Sequence, residues 1–198
     1  MTACVRSCES ANCKEEDRQE LLDILKRLVN GLKECQEAGK TGFLFGAIIQ
    51  DKSNVELQFD YVEENKTNII TQAWVPWYTM HKLIAGIVDV YKATGYAPAK
   101  EVGSNLGDWV YNRCSKWSEQ THRTVLSIEY GGMNDCMYDL YAVTGKDSHA
   151  VAAHYFDETA LFDKVLNGGR NVLTNRHANT TIPKFIGALK RYTVLDGK

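Results

Sequence analysis

The chain contains no run of about 18 apolar residues, which excludes a membrane-spanning helix, and no membrane partner is expected. It also has almost no net charge: 23 Lys and Arg stand against 25 Asp and Glu, a formal −2. So balanced a chain lacks the basic footprint of a nucleic-acid binder, and no nucleic acid is expected as a partner. Proline is scarce, 3 in 198 residues, which leaves room for long helices and argues against a turn-dense β-sandwich. An apolar signal core is missing from residues 1–13, where Arg6 and Glu9 stand. As written the chain therefore reads as cytoplasmic, and the sequons at Asn65 and Asn179 are discounted as glycosylation sites.

What is present is the material of a packed domain. Residues are 44 % hydrophobic and 24 % charged with mixed signs, and 10 Tyr, 6 Phe and 4 Trp argue against a disordered scaffold. Six cysteines could suggest a disulfide framework, but a chain of this length needs none to hold a core. Cys4, Cys8 and Cys13 lack a His at zinc-finger distance, so no metal site is assigned to them; they belong to an N-terminal segment, residues 1–14, that is unordered or locally helical. Cys35, Cys114 and Cys136 stand alone in helical patterns and read as buried free thiols.

Residues 15–38 carry Leu21, Leu22, Ile24, Leu25, Leu28, Val29 and Leu32 at helical spacing, with Gly39 as a left-handed stop. Residues 39–75 read as an extended excursion with a short strand or two. Beyond them the sequence repeats. Tyr91 to Gly95 (Tyr-Lys-Ala-Thr-Gly) recurs as Tyr141 to Gly145 (Tyr-Ala-Val-Thr-Gly), and a looser copy runs from Tyr192 to Gly197. Each copy closes a predicted helix (Tyr78–Val90, Met133–Leu140, Ile182–Arg191), and two further amphipathic runs follow, Ala99–Trp117 and His149–Leu166. Two helices per fifty residues is a helical-hairpin repeat. Such hairpins build either an open solenoid or a closed α/α ring, and periodicity does not choose between them. The pairs Ala85-Gly86, Gly131-Gly132 and Gly187-Ala188 would let neighbouring inner helices approach closely.

Chemically specific stretches precede each inner helix. In the first, Trp74, Trp77 and Tyr78 surround Pro76, with His81 following; this is either an aromatic wall suited to a sugar ring or simply core. The second offers Glu129, Asn134 and Asp135 around Gly131 and Gly132, which permit an unusual turn; a helix-terminus charge and a hydrated face are the bland readings of the acids. The third places Arg176, His177, Asn179 and Thr180 ahead of Pro183, read as the first turn of its helix. Recurrence at one phase of the repeat predicts that all three open on one shared face.

The strings AWVPWYTMHKL, EYGGMNDCMYDLY and RHANTTIPKFIGAL, with the Tyr-x-x-Thr-Gly stops, make residues 20–198 resemble the β-L-arabinofuranosidase-like glycoside hydrolases of families 127 and 146. The resemblance implies an all-α catalytic domain, an (α/α)6 toroid, that releases arabinofuranose from plant glycans. It implies retaining hydrolysis by a cysteine thiolate on a zinc held by three cysteines and a glutamate, with a second glutamate as general acid/base. The residues matched here, from Trp74 to His81, Gly131 to Asn134, and His177 to Thr180, belong to the substrate-recognition part. Glu-x-Cys and Cys-Cys do not occur in the sequence, so no metal ligand is assigned and the zinc is expected to need residues beyond Lys198.

Three functional expectations follow. In the first, residues 15–198 form about half of the toroid and recognise an arabinofuranoside, with a complementing C-terminal half or a second copy as partner. In the second, the fold serves as an interaction or carbohydrate-binding module without catalysis. In the third, Glu129 and Asp135 act as acid and base.

Overall fold

The computed structural model describes residues 1–66 and 75–196. They form ten α-helices and no strand: α1 (Thr2–Glu9), α2 (Glu15–Gly39), α3 (Leu57–Glu63), α4 (Pro76–Thr94), α5 (Ala97–Cys114), α6 (Glu119–Ser127), α7 (Met133–Thr144), α8 (Asp147–His154), α9 (Thr159–Leu166) and α10 (Ala178–Arg191). The protein is an all-α helical-repeat fold. None of these helices is long and apolar enough to cross a membrane.

The helices pack in two rows. α1, α4, α7 and α10 lie side by side in an inner row; α2, α5 and α8 form an outer row, each paired with the inner helix that precedes it. The repeated stop explains the registration. The Gly95 N–H donates to the Tyr91 carbonyl (2.8 Å) and the Gly145 N–H to the Tyr141 carbonyl (2.7 Å), each glycine at the positive φ that L side chains resist. One residue earlier, Thr94 Oγ1 donates to the Val90 carbonyl and accepts from the Tyr96 N–H, while Thr144 Oγ1 does the same with Leu140 and Lys146. The third copy differs: Tyr192 opens a π-helical turn to Asp196, and Gly197 lies outside the described residues.

The structure departs from the sequence expectations at five places. Residues 2–9 are helical, one of the two readings open for them, but packed where no partner was expected: α1 buries Val5 and Cys8 against α2 and α4, so α2 has an inner partner and the described residues hold three hairpins and a further inner helix. The left-handed stop of α2 falls on Lys40, one residue beyond Gly39. Cys35 is exposed, whereas Cys114 and Cys136 are buried. The described part of residues 39–75 contains α3 in place of strands. It buries Phe59 and Val62 on one side, while its N-cap Glu56, with Asp60 and Glu63, surrounds one guanidinium, Arg113 (2.8, 2.5 and 2.5 Å), so an apolar and a polar face set this helix together. Finally, the run from His149 to Leu166 breaks at Tyr155–Glu158 into α8 and α9.

The core beneath the N-terminal ends of the inner helices is aromatic. Trp77 lies 4.9 Å from Phe59, 5.1 Å from Phe156, 5.5 Å from Trp117 and 5.9 Å from Trp109, ring centre to ring centre. These contacts join α3, α4, α5 and the α8–α9 corner. Burying rings of this size drives the packing, at roughly 25 cal/mol per Å² of apolar surface removed from water.

Candidate substrate-binding site

The N-terminal ends of α4, α7 and α10 meet through the Gly131-Gly132 peptide. Gly131 has φ 59°, and a Cβ there would lie 2.7 Å from the Tyr78 ring and 2.8 Å from His81 Nδ1. A Cβ on Gly132 would lie 2.6 Å from Pro183 Cβ. Only glycine lets this chain segment pass between His81 on α4 and Pro183 on α10. The passage ends in a hydrogen bond from the Gly132 N–H to His81 Nδ1 (3.1 Å). Because Nδ1 accepts, the single proton of the neutral ring sits on Nε2, and burial, with the nearby Lys82 charge, pulls the imidazole pKa down to about 4. His81 is therefore a neutral donor of fixed tautomer at physiological pH.

Under this surface lies a polar network that fastens α10. Asn134 Nδ2 donates to Asp157 Oδ1 (3.0 Å) and to the Lys184 carbonyl (3.1 Å). Gly187 faces the Asn134 amide with no room for a Cβ. Asp157, buried, also accepts from Tyr138 Oη (2.6 Å) and Arg191 Nη1 (3.0 Å). Next to it, Glu158 accepts from Lys184 Nζ (2.6 Å), Arg176 Nη1 (3.3 Å) and Tyr130 Oη (3.3 Å), and the Lys184 ammonium sits 4.1 Å from the Tyr130 ring centre. Burial, the Glu158 charge and its hydrogen bond all push the Tyr130 phenol pKa up, so it stays a donor. Lys190 completes the seam with Asp135 (3.0 Å) and Asp139 (2.5 Å).

The sequence-predicted residues separate into three groups. His81, Gly131, Gly132, Asn134 and Thr180 are buried and converge on the α4–α7–α10 junction. Thr180 Oγ1 donates to the His177 carbonyl (3.1 Å), which makes it a support for the loop before α10. Tyr78 is half-buried, and Glu129, His177 and Asn179 are exposed at the same end of the molecule. Trp77, only 1 % exposed, belongs to the aromatic core, one of the two readings open for it. Trp74 lies outside the described residues. Pro183 is not in the first turn of its helix: α10 begins at Ala178, which puts His177 at its N-cap and Pro183 in the second turn. Asp135, ion-paired to Lys190 on the α10 side, is a seam residue; burial raises its pKa and Lys190 offsets part of the rise.

Sequence reasoning passed over Tyr130, Asp157, Glu158 and Lys184. The acidic pair just before Thr159 is a helix-start pattern and could have located the break between α8 and α9. Its long-range partners have no local signal. Among the described residues no three His, Cys, Asp or Glu side chains come together as a metal-ligand set. Burial raises the thiol pKa of Cys8, takes Cys114 to about 12 and Cys136 well above its ordinary value, so these are protonated thiols at neutral pH. The described residues thus do not fit the zinc that the resemblance implies.

No curated protein matches the chain. The family model described as β-L-arabinofuranosidase, GH127 catalytic domain, matches residues 7–198, a span that starts within α1 and takes in all three motif-bearing helix starts. A match over nearly the whole chain shows kinship, and the protein belongs to the β-L-arabinofuranosidase-like glycoside hydrolases of family 127.

Proposed function

We propose that the N-terminal ends of α4, α7 and α10 form the arabinofuranoside-recognising surface of a family 127 glycoside hydrolase. The observation that carries this reading is the junction itself: three motif-bearing helix starts joined by the Gly132 to His81 hydrogen bond between α4 and α7 and by the Asn134 to Lys184 carbonyl hydrogen bond between α7 and α10. In this arrangement His81 offers an Nε2–H donor to a sugar oxygen without the cost of desolvating a charge. Tyr78 supplies an apolar ring face, and Glu129, His177 and Asn179 supply exposed acceptors and donors for hydroxyl groups. Gly131, Gly132, Asn134 and Thr180 hold the frame.

Recognition, in this reading, is the contribution of this chain, and the zinc-thiolate chemistry that the family resemblance implies requires a ligand set that the described residues do not bring together. The test is calorimetric titration of the chain with methyl β-L-arabinofuranoside, alongside turnover of an aryl β-L-arabinofuranoside with and without zinc. Saturable binding that weakens roughly tenfold in His177→Ala, the loss of about one good polar contact, is expected, with no turnover. Turnover without zinc that disappears in Glu129→Gln would overturn the division of labour. Absence of any heat at high sugar concentration favours the second reading, a helical-repeat interaction module, for which the exposed Ile182, Ile186 and Leu189 of α10 are the supporting observation.

A further inference from the structure

Two of the exposed groups at the junction stand directly beside a side chain that is held from within. Glu129 is exposed and its neighbour Tyr130 is fully buried; His177 is exposed and follows Arg176, whose guanidinium is ion-paired. Both held side chains end on the same carboxylate. Glu158 Oε2 accepts from Tyr130 Oη (3.3 Å) and from the buried Lys184 Nζ (2.6 Å), and Glu158 Oε1 accepts from Arg176 Nη1 (3.3 Å). Glu158 is itself pinned, because its carbonyl accepts the Leu161 and Phe162 N–H groups that open α9 (2.8 and 3.1 Å). At the N-cap of α9 an acidic side chain would ordinarily take a free N–H of the first turn, yet Glu158 makes no such bond. Its carboxylate is aimed at the junction instead.

We propose that Glu158 is a positioning residue for sugar recognition: from the α8–α9 corner it sets the separation of Glu129 and His177 by holding the residue next to each. This builds on the recognition surface proposed above and adds a residue that touches no sugar. Consecutive Cα atoms are about 3.8 Å apart across a trans peptide, so a hold on Tyr130 and Arg176 passes directly to Glu129 and His177. On the His177 side the chain is curled into one piece. Arg176 Nε donates to the Val172 carbonyl (3.2 Å), the Arg176 N–H to the Leu173 carbonyl (3.2 Å), and the His177 carbonyl accepts from the Thr180 and Thr181 N–H groups (3.2 and 3.0 Å). The Arg176 guanidinium then ties that piece to the corner. A carboxylate that served α10 alone would need Lys184 alone; Tyr130 and Arg176 both lie outside α10, next to groups that face solvent. Polar groups on two separate stretches can grip one small ring only at a fixed spacing, since a shift of about 1 Å takes a well-aligned hydrogen bond out of range.

Two readouts test this, one of them free of sugar. In NMR relaxation of the full chain, the Glu129 and His177 amides should show order parameters of about 0.85, as in rigid backbone. Tyr130→Phe should lower the first alone, Arg176→Gln the second alone, and Glu158→Ala both. If Glu158→Ala fails to fold because Lys184 is left buried without its partner, the two single-arm variants carry the test, as neither removes the Lys184 ion pair. In titrations with methyl β-L-arabinofuranoside, each single-arm variant should bind roughly fivefold more weakly at unchanged helix content, and Arg176→Lys, which keeps a charge for Glu158, should restore most of the loss. Arg176→Gln should add little once His177 is replaced by Ala, because its effect passes through His177. Order parameters that stay unchanged in the single-arm variants, or fully additive losses for Arg176→Gln and His177→Ala, would overturn the assignment. A parent chain that gives no heat with the sugar overturns the recognition surface itself, and the order parameters still decide whether Glu158 holds the two residues.

Discussion

α4 and α10 occupy equivalent places in the inner row, yet they are held by opposite physics. α4 is driven into place by burial: Trp77, Met80, Ile84, Ile87 and Val88 are all essentially removed from water. α10 hides no large aliphatic or aromatic side chain completely; its attachment is a set of directed, charge-assisted hydrogen bonds to Asp157, Glu158, Asp135 and Asp139. Non-directional burial tolerates small shifts and resists pH, whereas ionic attachment fixes a register and depends on protonation. The difference teaches that a shared sequence period sets where a helix goes but not what binds it there.

The largest effect should come from the apolar side of this contrast. Trp77→Ala removes the centre of the aromatic core and should lower unfolding stability by about 4 kcal/mol, read from denaturant melts, with every helix lost together. On the ionic side, Asp157→Ala strands Arg191 and the Asn134 and Tyr138 donors, for an expected cost of about 3 kcal/mol. Hydrogen exchange should then show lost protection confined to residues 178–191; a loss spread evenly over α4 and α7 would erase the distinction between the two helices.

A pH series sharpens the comparison at the point where α4 and α7 touch. His81 has a folded pKa of about 4, below its ordinary 6.5, so between those values the unfolded chain binds a proton that the folded chain refuses. Stability from this group is complete above pH 6.5 and is lost as pH falls toward 4, with a ceiling of roughly 3 kcal/mol. His149, also lowered by burial, works in the same direction, so the check is the difference between wild type and His81→Gln. The variant keeps an acceptor for the Gly132 N–H and should show a flatter profile over that window.

Much of this architecture was legible in the sequence because its signals are local. The apolar stripes of α2, α4, α5 and α7, the Tyr-x-x-Thr-Gly stops and the fifty-residue phase all act within one or two turns, and the phase also foretold that His81, Gly131, Gly132 and Asn134 would share an end. Phase does not say which way a side chain points. Trp77 and Tyr78 are adjacent, about 100° apart on the helix, and one became core while the other reached the surface. The remaining gaps are long-range and polar. α3 is held by Arg113 from fifty or more residues away, α10 by the α8–α9 corner, and α1 gives only two buried residues in eight to betray its place.

That corner has a consequence for how the chain can vary. Asp157 and Glu158 are consecutive residues, and between them they reach Tyr130, Asn134, Tyr138, Arg176, Lys184 and Arg191. Adjacent side chains can serve separate sets of partners only while the backbone keeps its present twist from Phe156 to Thr159. A single inserted or deleted residue there would turn one carboxylate away from its partners and leave the buried Lys184 ammonium or the buried Asn134 amide unmatched. The length of this short connection is thus as fixed as any identity within it, and indels in this protein should collect in its other connections.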